Sequence, residues 1–197
     1  MKKIILTPIF VLLINFAFGQ GLDELKNSFN NYIKLIEDKE LTKTVDHIYP
    51  ELFNITPKET ILKSLNAAQN DTTKTINFHS SKADKYSTFI NIDSIIYCFI
   101  EYSYKLDTKI DIEEDEESLS YMSREEQIKL DLSIWKQKFG RRNVKYNKDD
   151  LSIKINANSV ILGIYNPKFK SWKYLEAKPK FKRVYKGILP KIILKKI

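Results

Sequence analysis

The sequence predicts an α+β domain: N-terminal helices packed on a strongly curved, cone-like antiparallel sheet, with an inserted helix and a C-terminal helical tail. Three observations predict it. Helical spacing recurs three times before any strand pattern begins. The stretch Ser94–Ile112, SIIYCFIEYSYKLDTKIDI, then alternates with period two, the mark of an antiparallel strand with one wetter face. Between Glu113 and Gly140 the apolar spacing returns to three and four, so a helix interrupts the strands.

At about 3.3 Å per residue the alternating run would extend about 60 Å, far beyond an ordinary strand. It must bend, carry a bulge or break in two. Its even positions run Ile96, Cys98, Ile100, Tyr102, Tyr104, Leu106. The odd positions pass from Ile95, Tyr97 and Phe99 to Glu101, Ser103, Lys105 and Asp107. Burial on both faces is expected up to Ile100, and on one face from Glu101 onward.

The chain begins with positive charge at Lys2-Lys3, an apolar run from Ile4 to Phe18, and small residues at Ala17 and Gly19. That order reads as a secretory signal peptide over residues 1–19, cut before Gln20. Residues 20–197 then form one domain, secreted or periplasmic. No cysteine flanks the cut to carry a lipid, and no later segment is apolar enough to span a bilayer.

Leu22, Leu25, Phe29, Tyr32, Ile33 and Ile36 make one stripe of a helix over Gly21–Lys39. A short second helix is expected over Glu40–His47, stopping before Pro50. Thr56-Pro57-Lys58-Glu59 has the spacing of a capping box with proline at the first helical position. The third helix should run from there to about Gln69. Asn70 to Thr73 is turn chemistry. Thr75–His79 and Tyr86–Ile92 read as short strands, separated by a turn or bend at Ser80–Asp84.

After the long strand comes an acidic leader and the inserted helix, together residues 113–140. Ser123 and Glu126 suit a capping box and Gly140 a stop. Arg141–Tyr146, Leu151–Ala157 and Ser159–Tyr165 read as three strands, with a turn at Asn156–Asn158. Asn166 to Ser171 turns the chain into a last strand, Trp172–Ala177. The tail, 180–197, should make two short helices around Gly187 and Pro190.

The formal charge is +8, and its distribution matters more than its sum. Asp111–Glu117 holds six acids in seven residues, and Asn166–Ile197 holds eleven Lys/Arg against one acid. Such blocks are most often solvated faces that attract each other, and otherwise partner or membrane surfaces.

Phe29-Asn30-Asn31-Tyr32, Tyr49-Pro50-Glu51-Leu52-Phe53, the Thr56–Glu59 helix start, Phe99-Ile100-Glu101-Tyr102-Ser103-Tyr104 and Trp172-Lys173-Tyr174-Leu175-Glu176 together carry a resemblance. In order and pattern, over about Leu22 to Ala177, the chain resembles the nuclear transport factor 2-like (cystatin-like α+β) superfamily, and small secreted members of it from Bacteroidota. The resemblance implies a cone around an apolar pocket, used by different members for isomerisation, dehydration, ligand binding or protein association. It does not choose among them, and no catalytic residue carries over.

Nucleophilic triads, glycine-rich phosphate loops and paired Cys/His metal spacings are absent from the pattern, so no cofactor and no metal site is expected. Cys98, the single cysteine, reads as a small buried hydrophobe. His47 closes the second helix, where a cation suits the dipole. His79 lies on a strand opposite Ile76 and Phe78. Glu101 is the weak catalytic candidate: facing the cone beside Tyr97 it would meet a ligand with a raised pKa. Facing solvent, it would simply pair with a lysine across the sheet, which is the routine arrangement. Tyr97, Glu101, Tyr102, Tyr104 and His79 are the candidate ligand contacts.

The expected function is an exported non-enzymatic binding module, using an apolar pocket or an open sheet face for a small ligand or an envelope protein. Self-association through the sheet face is compatible with it. The alternative is a pocket enzyme doing acid–base chemistry with Glu101 and a tyrosine. A second alternative is attachment to the envelope surface through the basic tail, although docking of that tail on the sheet explains its apolar residues better. Nucleic acid is not an expected partner, because no base-stacking or groove-reading motif is present.

Overall fold

The structure, a computed structural model, describes residues 6–70, 74–110 and 123–197. Helix α1 spans Leu6–Glu37, followed by α2 (Leu41–Asp46), a 3-10 turn at Pro50–Asn54 and α3 (Lys58–Gln69). Six strands follow: β1 (Lys74–Tyr86), β2 (Ile90–Ile92), β3 (Ile95–Ile110), β4 (Val144–Asn147), β5 (Ser152–Asn166) and β6 (Ser171–Glu176). Helix α4 (Arg124–Phe139) is inserted between β3 and β4, and α5 (Lys182–Tyr185) and α6 (Lys191–Lys196) close the chain. The α+β class is as predicted. The expected acidic leader at Asp111–Glu117, the signal-peptide start at Met1–Ile5 and most of the Asn70–Thr73 turn lie outside the described residues.

All pairs in the sheet are antiparallel, in the order β1-β3-β5-β4, with β2 beside β3 and β6 beside β5, and the sheet is not closed into a barrel. The opening alternation is β3, and it is central. It pairs with β5 from Ile96 to Lys109 and with β1 from Ile100 to Ile110, while β2 holds its start. Asp93 and Ser94, both at positive φ (50° and 66°), make the two-residue turn between β2 and β3. Positive φ at both turn positions matches the right-handed twist of the flanking strands.

Several boundaries differ from the sequence reading. Ser80–Asp84 is not a turn, because β1 runs through it with register shifts at His79/Lys82 and Ala83/Lys85. The long partner strand keeps pairing available, so the polar residues are absorbed as bulges, with Ser80 at φ 55°. Asn156–Asn158 is likewise strand: Asn156 and Asn158 are exposed while Ala157 is buried, so the two amides simply occupy the wet face. The strand expected at Arg141 starts only at Val144, after a 3-10 turn at Arg141–Asn143, and the one expected at Tyr86 is confined to Ile90–Ile92. At α3, Pro57 is the N-cap and no side chain caps it. The capping box at α4 does form: Ser123 Oγ accepts from Glu126 N at 3.4 Å, and the Glu126 carboxylate accepts from Ser123 N at 2.8 Å.

Three apolar clusters follow from the alternation of β3. Its even residues Cys98, Ile100 and Tyr102 pack under Leu25, Phe29 and Ile33 of α1, with Trp172 and Tyr174 of β6. Further along the same face, Leu106 joins Val144, Ile153 and Ile155 under Ile128, Leu132, Trp135 and Phe139 of α4. The odd face carries Tyr97 and Phe99, which with Leu162, Ile164 and Leu175 are covered by Tyr185, Leu189 and Ile193 of the tail. The first half of β3 is therefore buried on both faces and the second half on one. The tail docks on the sheet through its apolar residues.

Candidate functional site

The five candidate contacts fall on two faces of the sheet. Tyr97, Glu101 and His79 belong to the odd face of β3 and its β1 neighbours, Tyr102 and Tyr104 to the even face. Glu101 sits opposite Lys85 on β1, its side chain is 57% exposed, and its carboxylate lies 3.8 Å from Lys85 Nζ. An exposed pair of this kind contributes about 0–1 kcal/mol. Tyr97 is only 1% exposed, beneath the tail. Burial, with the phenol of Tyr49 and the carboxylate of Asp93 as smaller contributions, pushes its pKa up to about 12.

Tyr102 and Tyr104 belong to an aromatic ladder. Their rings stack at 5.5 Å, Phe78 lies 4.7 Å from Tyr104, and Phe29 meets Tyr102 edge-on at 5.7 Å. Tyr32 of α1 stacks on Tyr174 at 4.6 Å, and the Tyr174 hydroxyl donates to Ser28 Oγ at 2.9 Å. Aromatic side chains thus occupy the space between α1 and the sheet. Burial raises the pKa of Tyr32, Tyr102 and Tyr174, and for the first two the Glu176 carboxylate adds to it. These phenols stay protonated at neutral pH and are donors rather than bases.

His79 bridges two polar groups on β1 and β3. Its Nδ1 is 3.0 Å from Ser80 Oγ and its Nε2 3.4 Å from Asp107 Oδ2. The sequence reading missed this juxtaposition, because Asp107 reaches His79 only through the register of the two strands. The side chains of His79 and Asp107 are part-exposed, while His79 Nε2 itself is buried. His47 behaves differently from the helix-end cation expected. Burial, then the nearby Lys173 ammonium, lowers its pKa, so the ring tends to neutrality and packs beside Tyr32 and Tyr174. Cys98 is fully buried, and burial raises its thiol pKa while Ser87 hydrogen-bonds it. Among the described residues no group of three or more His, Cys, Asp or Glu is placed to hold a metal ion, and no helix is long and apolar enough to cross a membrane.

Open clefts are found at the surface. A small one of about 240 Å³ lies between Asp84 and Glu101, over Asn158 and Val160. An apolar one of about 460 Å³ runs between Leu22 and Tyr86–Phe89. The largest of the three, about 790 Å³, lies along α4 and the Arg141–Val144 segment and is lined by Lys129, Lys136 and Arg141. These three cations were not singled out from sequence. Their common signal is the spacing of Lys129 and Lys136, seven apart and so on one helix flank, with Arg141 just past the stop at Gly140.

No family model, curated protein or solved structure matches the chain.

Proposed function

We propose that the chain is an exported, non-enzymatic binding module that meets its ligand at an open cleft or sheet face. The observation that carries this reading is the filling of the space beneath α1 by Phe29, Tyr32, Tyr102 and Tyr174, which leaves the open clefts and the exposed sheet face as the places of contact. The second half of the odd sheet face supports it. Lys105, Lys154, Asn156 and Asn158 are all exposed there, on neighbouring strands. The acid–base alternative has less support: Glu101 faces Lys85, and the tyrosines beside it in sequence lie across the sheet. Tail-mediated attachment also has less, because Tyr185, Leu189 and Ile193 are spent on the core.

The test is a thermal-shift panel of envelope-type small molecules, oligosaccharides and peptides on the purified chain. A specific ligand at a hundred times its Kd adds about 2.7 kcal/mol, a rise of a few degrees in Tm. Absence of any shift across the panel counts against the module. Turnover of a ligand that is lost in Glu101→Gln would replace it with the enzyme. N-terminal sequencing of exported protein should read from Gln20.

A further inference from the structure

We infer that the cleft along α4 binds an anionic glycan, a sugar chain bearing carboxylate or sulfate groups. This rests on the binding-module reading above and assigns that module a site and a ligand class. The cleft volume of about 790 Å³ falls in the range of ligand sites, about 300–1,000 Å³. Among the described residues, Lys129, Lys136 and Arg141 line it and no acidic side chain does. Lys129 has Glu125 at 3.6 Å. Among the described residues, Lys136 and Arg141 have no carboxylate partner, although Lys136 is partly buried.

An ordinary use for cations at a helix C-terminus is to satisfy its last carbonyls. Here a neutral side chain serves instead: Asn143 Nδ2 donates to Phe139 O at 2.8 Å, and Asn143 N to Gly140 O at 3.1 Å. Lys136 and Arg141, without a carboxylate partner among the described residues, are left lining the cleft. A partly desolvated cation without a counterion favours any anion that reaches it.

The remaining lining distinguishes among anions. Ser133 and Gln137 offer a hydroxyl and an amide beside the cations, and these are partners for sugar hydroxyls. Leu132 and Val144 form an apolar floor, suited to the C–H face of a sugar ring. Among the described residues no aromatic side chain lines the cleft, whereas single-stranded nucleic acid is held by base stacking. A concave site also cannot lie flat on a bilayer.

The experiment is direct binding of the full chain, at about 0.15 M salt, to oligogalacturonate, sulfated dextran, neutral dextran and a thymidine oligonucleotide. Binding to one or both anionic glycans is expected, and none to neutral dextran. The double variant K136Q/R141Q should weaken glycan binding about tenfold, consistent with two part-exposed charged contacts. The double variant K34Q/K63Q, at exposed positions on α1 and α3, removes the same charge and should stay within about twofold if net charge is not the cause. Far-UV circular dichroism checks that both fold. Three results overturn the inference: no affinity for either anionic glycan, equal losses in the two double variants, or tighter binding of the oligonucleotide. If a different ligand from the panel binds the same protein, only the glycan site fails and the module stands.

Discussion

The hydroxyl of Tyr174 on β6 donates to Ser28 Oγ on α1 at 2.9 Å, joining residues 146 positions apart. The contact locks the first helix to the last strand, across the aromatic cluster that fills the space beneath it. Tyr174→Phe removes the donor and Ser28→Ala the acceptor. Each should cost about 1 kcal/mol. In a double-mutant cycle the two losses should not add. Urea denaturation of the four proteins measures it, and full additivity would show the bond to be idle.

Gly163 of β5 lies directly beneath Leu25 of α1. A methyl group there would lie 3.2 Å from Leu25 Cδ1 and 3.5 Å from both Ile100 Cδ1 and the Trp172 ring. Gly163→Ala should therefore destabilise by about 1–3 kcal/mol through overpacking, although β-strands generally gain from alanine in place of glycine. The denaturation midpoint gives the answer, and a stabilised variant would mean that α1 can shift aside.

Alkaline pH should unfold the protein through its buried phenols. Burial raises Tyr97 and Tyr185 to about 12, above the ordinary value near 10. Between those values the unfolded state has released protons that the native state keeps, so stability falls as pH rises. The slope is about 1.4 kcal/mol per pH unit for each such tyrosine. The stabilising contribution is fully present below pH ~10 and lost through pH ~12. Phenolate absorbance should rise with the loss of tertiary structure. Gradual ionisation of every tyrosine in a folded chain would contradict this.

His47 acts at the other end of the scale. Its pKa is lowered, so below about 6.5 the unfolded state binds a proton that the native state resists. Stability should fall as pH drops through that region, and His47→Gln should flatten the fall. Equilibrium denaturation at pH 5 and pH 7.5 compares the two proteins.

Helix α4 depends on its N-terminal box. Ser123→Ala removes the acceptor for Glu126 N and a partner of the Glu126 carboxylate. It should cost about 1 kcal/mol and speed amide exchange in the first turn of α4. Unchanged exchange there would assign the helix start to packing alone.

Periodicity and turn chemistry made much of this molecule readable. The alternation from Ile95 predicted which half of β3 is buried on two faces, because side-chain direction in a strand has a period of two whatever surrounds it. The stripe through Leu25, Phe29 and Ile33 predicted the buried face of α1. Ser123, Glu126 and Gly140 predicted both ends of α4, since capping is a matter of a few neighbouring residues.

Pairing decided the rest. Ser80–Asp84 and Asn156–Asn158 have turn-forming composition, yet they extend β1 and β5 because β3 offers them a long backbone to pair with. That hydrogen-bonding partner lies outside the local sequence. His79 and Asp107 meet only through register, and Lys136 and Arg141 share a cleft only because α4 packs beside β4. Glu101 was the open question of the central strand. Its alternation placed it at the boundary between buried and exposed halves, but only the β1 register put Lys85 across from it. The sequence alone determined the α+β class, the two-faced and one-faced halves of β3 and the ends of its inserted helix, all set by contacts within a few residues. The tertiary structure determined which polar groups stand together, because those distances arise from strand register and helix docking across the whole chain.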